Sequence, residues 1–111
     1  MNSTLKTLLA AAGLVVALAG AAGTASATPW QNHHPRRVEV NHRLGNLNGS
    51  IREERHEGDI NGWQAHRLHA RVHMIRRQER FFARHDGGHI TRHEQARLNR
   101  EENGVRHHIP A

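Results

Sequence analysis

The sequence predicts an all-α protein, in which a signal peptide is followed by three short amphipathic helices. Two observations carry this prediction. A signature that combines the end of one helix with the start of the next occurs twice, thirty residues apart, beginning at Gly58 and at Gly88. A leucine followed seven residues later by an aliphatic residue and Arg occurs three times, at Leu44, Leu68 and Leu98. Self-similarity of this kind indicates duplicated helical units.

The beginning of the chain has the three parts of a secretory signal peptide. Lys6 supplies a positive charge, residues 8–22 are an uncharged run of Leu, Ala, Val and Gly, and Ala25-Ser26-Ala27 has the small-x-small pattern of a cleavage site. The apolar run is shorter than the roughly 20 residues that span a bilayer. We therefore expect residues 1–27 to be removed by cleavage after Ala27 and the rest to be exported to the bacterial periplasm. A retained membrane anchor is the alternative.

The exported part is basic, rich in histidine and free of cysteine. The whole chain has 16 Lys and Arg against 10 Asp and Glu, together with 12 His. Lys6 is its one lysine, so arginine supplies all the fixed positive charge after cleavage. Without cysteine, neither a disulfide nor a thiolate metal site can form. Export argues against a nucleic-acid partner, and the arginines favour an anionic envelope surface instead.

Helix boundaries follow from breaker residues and apolar periodicity. Residues 28–37 hold two prolines and no periodicity, which predicts a flexible N-terminal arm. The helical domain is expected over 38–111, with helices near 38–56, 62–85 and 92–109. The short links between them favour antiparallel neighbours, in a three-helix arrangement or an extended hairpin.

The repeated signature has a physical basis at both of its ends. Gly58 and Gly88 suit the left-handed conformation that often follows the last residue of a helix. The next helix then starts with capping-box spacing, in which two side chains bond each other's backbone amides. The residues at these positions are Asn61 with Gln64 and Thr91 with Glu94.

Apolar side chains form stripes when the residues are placed at 100° per step. The stripes expected in the core are Val40, Leu44, Leu47 and Ile51; Ala65, Leu68, Val72, Ile75 and Phe82; and Leu98, Val105 and Ile109. The second helix carries another stripe, roughly opposite, which contains Trp63, Met74 and Phe81. A helix that is apolar on two sides needs two partners. We therefore expect this second stripe to contact another copy of the chain, in a homodimer, or an unfolded envelope protein.

Histidines are expected to gather in two places. His66, His69 and His73 share one face of the second helix, because residues three and four apart stack there. A second group surrounds the following turn, and the arm would join it in an up-down-up arrangement. The members of this group are His85, Asp86, His89 and His93, with His33 and His34 from the arm. Imidazoles without thiolates prefer Cu(II), Ni(II) or Zn(II).

A solvated basic surface is the alternative explanation of these histidines. Arg76, Arg80 and Arg84 continue the histidine face of the second helix, and their charges oppose a bound cation. Sharper metal motifs are missing: neither His56-Glu57 nor His93-Glu94 is completed to His-Glu-x-x-His, and the second turn lacks the first ligands of an EF-hand.

We do not expect an enzyme. Ser50 has no sequence context that would orient a catalytic triad. The pairs Glu53-Glu54 and Glu101-Glu102 lie beside arginines at ion-pair spacing, which is typical of a solvated helix face. The leading hypothesis is therefore a non-enzymatic periplasmic stress protein that binds or buffers divalent transition metals through histidine-rich helix ends.

The motifs Ile60-Asn61-Gly62-Trp63-Gln64 and Ile90-Thr91-Arg92-His93-Glu94 resemble the Leu-Thr-x-x-Gln motif of the Spy- and CpxP-type periplasmic stress family. Asn61 replaces Thr in one copy, and Glu94 replaces Gln in the other. The chain resembles more closely small exported proteobacterial proteins with Gly-x-Leu-Thr-x-x-Glu repeats. The resemblance implies an all-helical envelope protein that acts as an ATP-independent chaperone or associates with metal. A chaperone is therefore the alternative hypothesis, and a pH switch through histidine protonation is a third.

Overall fold

A computed structural model describes residues 27–110, so the predicted signal peptide, apart from Ala27, lies outside the described residues. Those residues form four helices and no strand. The helices are α1 (Pro29–His33), α2 (Pro35–His56), α3 (Gly62–His85) and α4 (Arg92–His107). The predicted all-α class is confirmed. None of the helices in this range is both long and apolar enough to cross a membrane.

The chain divides into two compact units, one ending at Asn32 and the other beginning at His33. In the second unit, each of α2, α3 and α4 contacts the other two, so they form a three-helix bundle rather than an extended hairpin. The predicted stripes supply its core, with Phe82 packed against the edge. Ile60 and Ile90, which come just before the starts of α3 and α4, are also buried.

Residues 28–37, which we expected to be a flexible arm, are largely helical. The Gln31 amide donates to Thr28 Oγ1 at 3.2 Å, and the Thr28 amide donates to Gln31 Oε1 at 2.7 Å, which caps α1. Pro29 and Pro35 are the first residues of α1 and α2. A proline fits this position because its missing N–H would have no helical partner there. The prolines that predicted irregular chain therefore begin helices.

Both predicted turn signatures have the expected geometry. Gly58 and Gly88 have φ angles of 82° and 95°, in the left-handed region that favours glycine. At the start of α3, the Gln64 amide donates to Asn61 Oδ1 at 2.8 Å, and the Asn61 amide donates to Gln64 Oε1 at 2.7 Å. Thr91 and Glu94 form the same reciprocal pair at the start of α4. These caps explain why α3 and α4 start where the sequence predicts.

Replacing Thr91 with alanine should lower the free energy of unfolding by about 1 kcal/mol. The Glu94 amide loses its acceptor, Thr91 Oγ1, which lies 3.0 Å away. Urea denaturation would measure the loss, with Thr91→Ser as the control because it keeps the hydroxyl group. Equal losses in the two variants would show that the cap does not stabilise α4.

Candidate functional site

One face of α3 leaves large apolar side chains in solvent. Trp63 and Met74 are each 65% exposed and Phe81 is 49% exposed, although most other large apolar residues of the bundle are buried. From Trp63 to Phe81 the row is about 27 Å long at the rise of an α-helix. We call Trp63, Met74 and Phe81 the apolar row. Its members are those predicted to contact a client or a second copy.

The apolar row is bordered by positive charge. The guanidinium carbon of Arg67 lies 4.7 Å from the centre of the Trp63 ring, within cation–π distance. The arginines of α3 are Arg67, Arg71, Arg76, Arg77, Arg80 and Arg84. Glu79 is the one acidic residue of α3, and it is 1% exposed. The exposed residues of α3 therefore include no carboxylate, although Glu101 of α4 lines a cavity together with Met74.

A cavity of about 240 Å³ adjoins the Trp63 end of the row. Its lining residues are Ile60, Trp63, Gln64, Arg67, Leu68, Arg71 and His108. Ile60 and Leu68 are core residues, so the cavity has an apolar base, and Arg67 and Arg71 add positive charge. An apolar side chain that carries or neighbours an acidic group matches this lining.

The start of α2 and the turn between α3 and α4 bring three histidines together. The rings of His34 and His89 are stacked, with centroids 4.5 Å apart and planes inclined by 16°. His34 and His89 also line a cavity of about 80 Å³. His33, Arg36 and Arg37 lie on the wall of this cavity as well. Arg36 Nη1 also donates to the backbone oxygen of Ile90 at 3.3 Å. The cluster of His33, His34 and His89 therefore has two guanidinium groups beside it.

The remaining residues predicted around this turn have other neighbours. His85 Nδ1 lies 2.9 Å from the backbone oxygen of Phe81, and His93 is exposed. A hydrogen bond with Glu94, helped by burial, raises the pKa of Asp86 above its usual range. The hydrogen-bond partner of the Asp86 carboxyl group is therefore Glu94 rather than one of the histidines.

The histidines on α3 differ in exposure. His66 and His73 are exposed, and His69 is half-buried with its Nδ1 2.7 Å from Asn48 Oδ1. Burial, followed by the charges of Arg52 and His66, lowers the pKa of His69. His69 therefore favours the neutral form, which donates to Asn48 through Nδ1 and leaves Nε2 to accept a proton or a metal.

Within residues 27–110, one group of three or more candidate metal-binding side chains lies close together, and it is acidic. Glu54 in the last turn of α2, together with Glu57 and Asp59 in the turn that follows, places carboxylate oxygens within 4.8 Å of one another. Glu57 and Asp59 are exposed, whereas Glu54 is half-buried and its Oε1 has no hydrogen-bond partner among the described residues. The histidine metal sites remain a prediction.

Two buried carboxyl groups were not predicted from the sequence, and one of them corrects an expectation. Glu102, expected on a solvated face, is 0% exposed in the core. Burial raises its pKa to about 8, against the opposing effect of Arg43 and with further increases from Glu39 and Glu101. The repeat could have indicated that Glu102 is buried. Glu102 follows Leu98 by four residues, just as the core residue Val72 follows Leu68.

Glu79 is the second buried carboxylate, and it has a close partner. Arg37 donates through Nε to Glu79 Oε2 and through Nη2 to Glu79 Oε1, the latter at 3.2 Å. Arg37 Nη1 also donates to the backbone oxygen of Gly88 at 3.3 Å. This bidentate pair joins α2 to α3 and to the second turn.

Compared with known proteins, the chain matches no family model, no curated protein and no solved structure significantly.

Proposed function

We propose that this chain is a non-enzymatic exported stress protein that holds partly unfolded proteins reversibly on the exposed face of α3, without ATP. The observation that carries the proposal is the apolar row of Trp63, Met74 and Phe81 on a helix whose own exposed residues include arginines but no carboxylate. Large apolar side chains that remain in solvent beside polar groups are a feature of surfaces that bind another protein.

The charge of this face favours a client over a second copy. Two such faces brought together would place arginines of α3 against arginines, and like charges across an interface are unfavourable. A client segment that alternates apolar and acidic residues would complement both the apolar row and the arginines of α3. Arginine also buries its aliphatic stem while its charge stays in water, so such contacts adapt to many segments.

Suppression of a client's aggregation by metal-free protein tests this function. Trp63→Asp and Phe81→Asp each place a charge in the apolar row, and we expect roughly tenfold more of either variant to be needed for equal suppression. Ala96→Asp adds the same charge at an exposed position of α4 and is the matched control. Light scattering of a thermally unfolding client gives the measurement.

Two results would contradict the proposal. One is equal suppression by all three variants and the wild type. The other is a stable dimer of the wild type in sedimentation, dissociated by Phe81→Asp, because the apolar row would then be an interface between copies. Export is part of the same proposal, and it requires that the protein recovered from the periplasm begins at Thr28.

Buffering of Cu(II), Ni(II) or Zn(II) is a second candidate function, favoured by the stacking of His34 on His89, with His33 on the wall of the same cavity. We expect His34→Ala and His89→Ala to weaken binding of the preferred ion by about tenfold in calorimetric titrations. His107→Ala, at the last residue of α4, is the control. Absence of binding tighter than about millimolar for all three ions would eliminate this function.

A further inference from the structure

A cavity of about 160 Å³ lies between α2 and α4. Its lining residues are Arg43, Asn46, Leu47, Glu102 and Arg106. Neither carboxyl oxygen of Glu102 has a hydrogen-bond partner among the described residues, although the side chain is fully buried. A buried polar group without a partner is costly. Such a group on a cavity wall indicates an occupant that bonds to it.

The charges around this cavity favour an anion. Arg43 Nε lies 3.4 Å from Glu102 Oε1, an ion-pair distance without hydrogen-bond geometry, and Arg43 Nη1 lies 3.7 Å from Glu39 Oε2. Arg43 Nη2 donates to Asn103 Oδ1, so Arg106 is the less engaged of the two arginines. Arg106 Nη1 donates to Ser50 Oγ at 3.3 Å. Within residues 27–110, no carboxylate forms an ion pair with Arg106. The lining thus has two guanidinium groups and a single carboxyl group.

The protonation of Glu102 adds a donor to these cations. Its surroundings include Arg43 and Glu39 on α2, and Glu101 and Arg106 on α4. From α3, Gln78 donates to Glu101 at 2.9 Å, and Arg71 lies beside Gly104. Because burial raises the pKa of Glu102 to about 8, the carboxyl group is protonated at neutral pH. A protonated carboxyl donates a hydrogen bond, so its proton needs an acceptor.

We propose that this cavity binds a small oxyanion, a phosphate or carboxylate group, between the guanidinium groups of Arg43 and Arg106 and the acid proton of Glu102. Guanidinium groups match the oxygens of both anions geometrically. The cavity volume of about 160 Å³ admits one such group with accompanying water. The site lies apart from the apolar row, so it goes beyond the function proposed above.

Calorimetric titration of the full exported chain with inorganic phosphate and with acetate, at pH 6.5 and constant ionic strength, tests the proposal. We expect Arg106→Ala to weaken binding of either anion by about tenfold. Glu102→Val should weaken it equally, and this variant should fold because Val72 holds the equivalent position in α3. Glu102→Gln keeps an N–H donor and should bind within about threefold of the wild type.

Arg92→Ala is the matched control for charge, since Arg92 is exposed at the first position of α4, away from the cavity. It should bind both anions as the wild type does. Equal weakening by Arg92→Ala and Arg106→Ala would overturn the proposal, because binding would then follow net charge alone. If neither phosphate nor acetate binds the wild type, the proposal is also overturned.

A second readout follows from linkage between anion and proton. Because the anion binds the protonated form of Glu102, saturating acetate should raise the pKa of Glu102, measured from its carboxyl ¹³C resonance. The same linkage weakens acetate binding above the pKa of the free protein, while the charge of acetate stays constant. A Glu102 carboxyl that is already ionised at pH 6.5 would refute the site.

The phosphate group of a lipid has the same chemistry as free phosphate, and a competition experiment separates the two. Phosphatidylglycerol vesicles that displace inorganic phosphate from the wild type, but do not bind Glu102→Val, would assign the site to a headgroup. Binding of inorganic phosphate that vesicles leave unchanged would assign it to a free anion. Either result supports the oxyanion site.

Discussion

Replacing Glu102 with glutamine should remove a loss of stability that the wild-type protein undergoes between about pH 5 and pH 8. In the folded protein, burial raises the pKa of Glu102 from 4.5 to about 8. Between these values the folded state keeps a proton that the unfolded state has released. The free energy of unfolding therefore falls as the pH rises. The stabilisation from this proton is complete below about pH 4.5 and is lost as the pH passes about 8.

The expected loss is large for a single side chain. A pKa raised from 4.5 to about 8 corresponds to at most about 5 kcal/mol, at about 1.4 kcal/mol for each tenfold change in proton affinity. Relaxation around the charged form and entry of water into the adjoining cavity reduce this, so we expect roughly 2 to 3 kcal/mol. Glutamine has a similar shape and no ionisation in this range, and its curve should lack the decline.

Urea denaturation of both proteins at a series of pH values provides the measurement. The difference between the two curves is the useful quantity, because the contributions of all other ionisable groups are common to both proteins and cancel. Glu53→Gln, at an exposed position of α2, is the control and should run parallel to the wild type. Parallel curves for Glu102→Gln as well would show that Glu102 ionises normally in the folded state.

The starts of α3 and α4 could be predicted because local interactions determine them. The reciprocal caps at Asn61 and Thr91, together with a glycine after each preceding helix, are complete within a few residues of sequence. The same local chemistry exists at Thr28 and Gln31, but two prolines nearby obscured it. Proline both begins and ends helices, so composition alone did not separate an arm from a short helix.

The two buried carboxyl groups could not be located by surface pairing rules. Arginines neighbour Glu79 and Glu102 in sequence, which normally indicates solvated ion pairs. Their burial follows from the three-way packing of α2, α3 and α4, and their closest cationic partners, Arg37 and Arg43, come from α2. Contacts between residues more than forty positions apart are invisible to helical periodicity. The thirty-residue repeat could have predicted the burial of Glu102, because it aligns Glu102 with the core residue Val72.

The histidines illustrate a different limit. Spacing places His66, His69 and His73 on one face of α3, but the side-chain neighbours depend on α2, where Asn48 contacts His69. The approach of His34 to His89 requires the chain to enter α2 beside the second turn, which follows from the order of the bundle. Helical spacing therefore predicted faces, while tertiary packing decides which imidazoles meet.

Replacing Arg37 with methionine should destabilise the bundle by roughly 3 kcal/mol, because it leaves a buried charge without its partner. Glu79 is 1% exposed and accepts hydrogen bonds from both Nε and Nη2 of Arg37. Arg37 also bonds the backbone oxygen of Gly88, so the variant removes one link between α2 and the second turn. Methionine keeps much of the apolar stem of arginine, which limits the loss to the charged group.

The double variant Arg37→Met with Glu79→Leu separates the charge from the packing. If the uncompensated carboxylate causes the loss, removing it as well should restore most of the stability, since a buried ion pair is often replaceable by apolar residues of similar size. A double-mutant cycle in urea would then show coupling between the two positions, and additive losses would contradict it. Restored stability would mean that the pair between Arg37 on α2 and Glu79 on α3 adds little net free energy to the bundle, although breaking it from one side is costly.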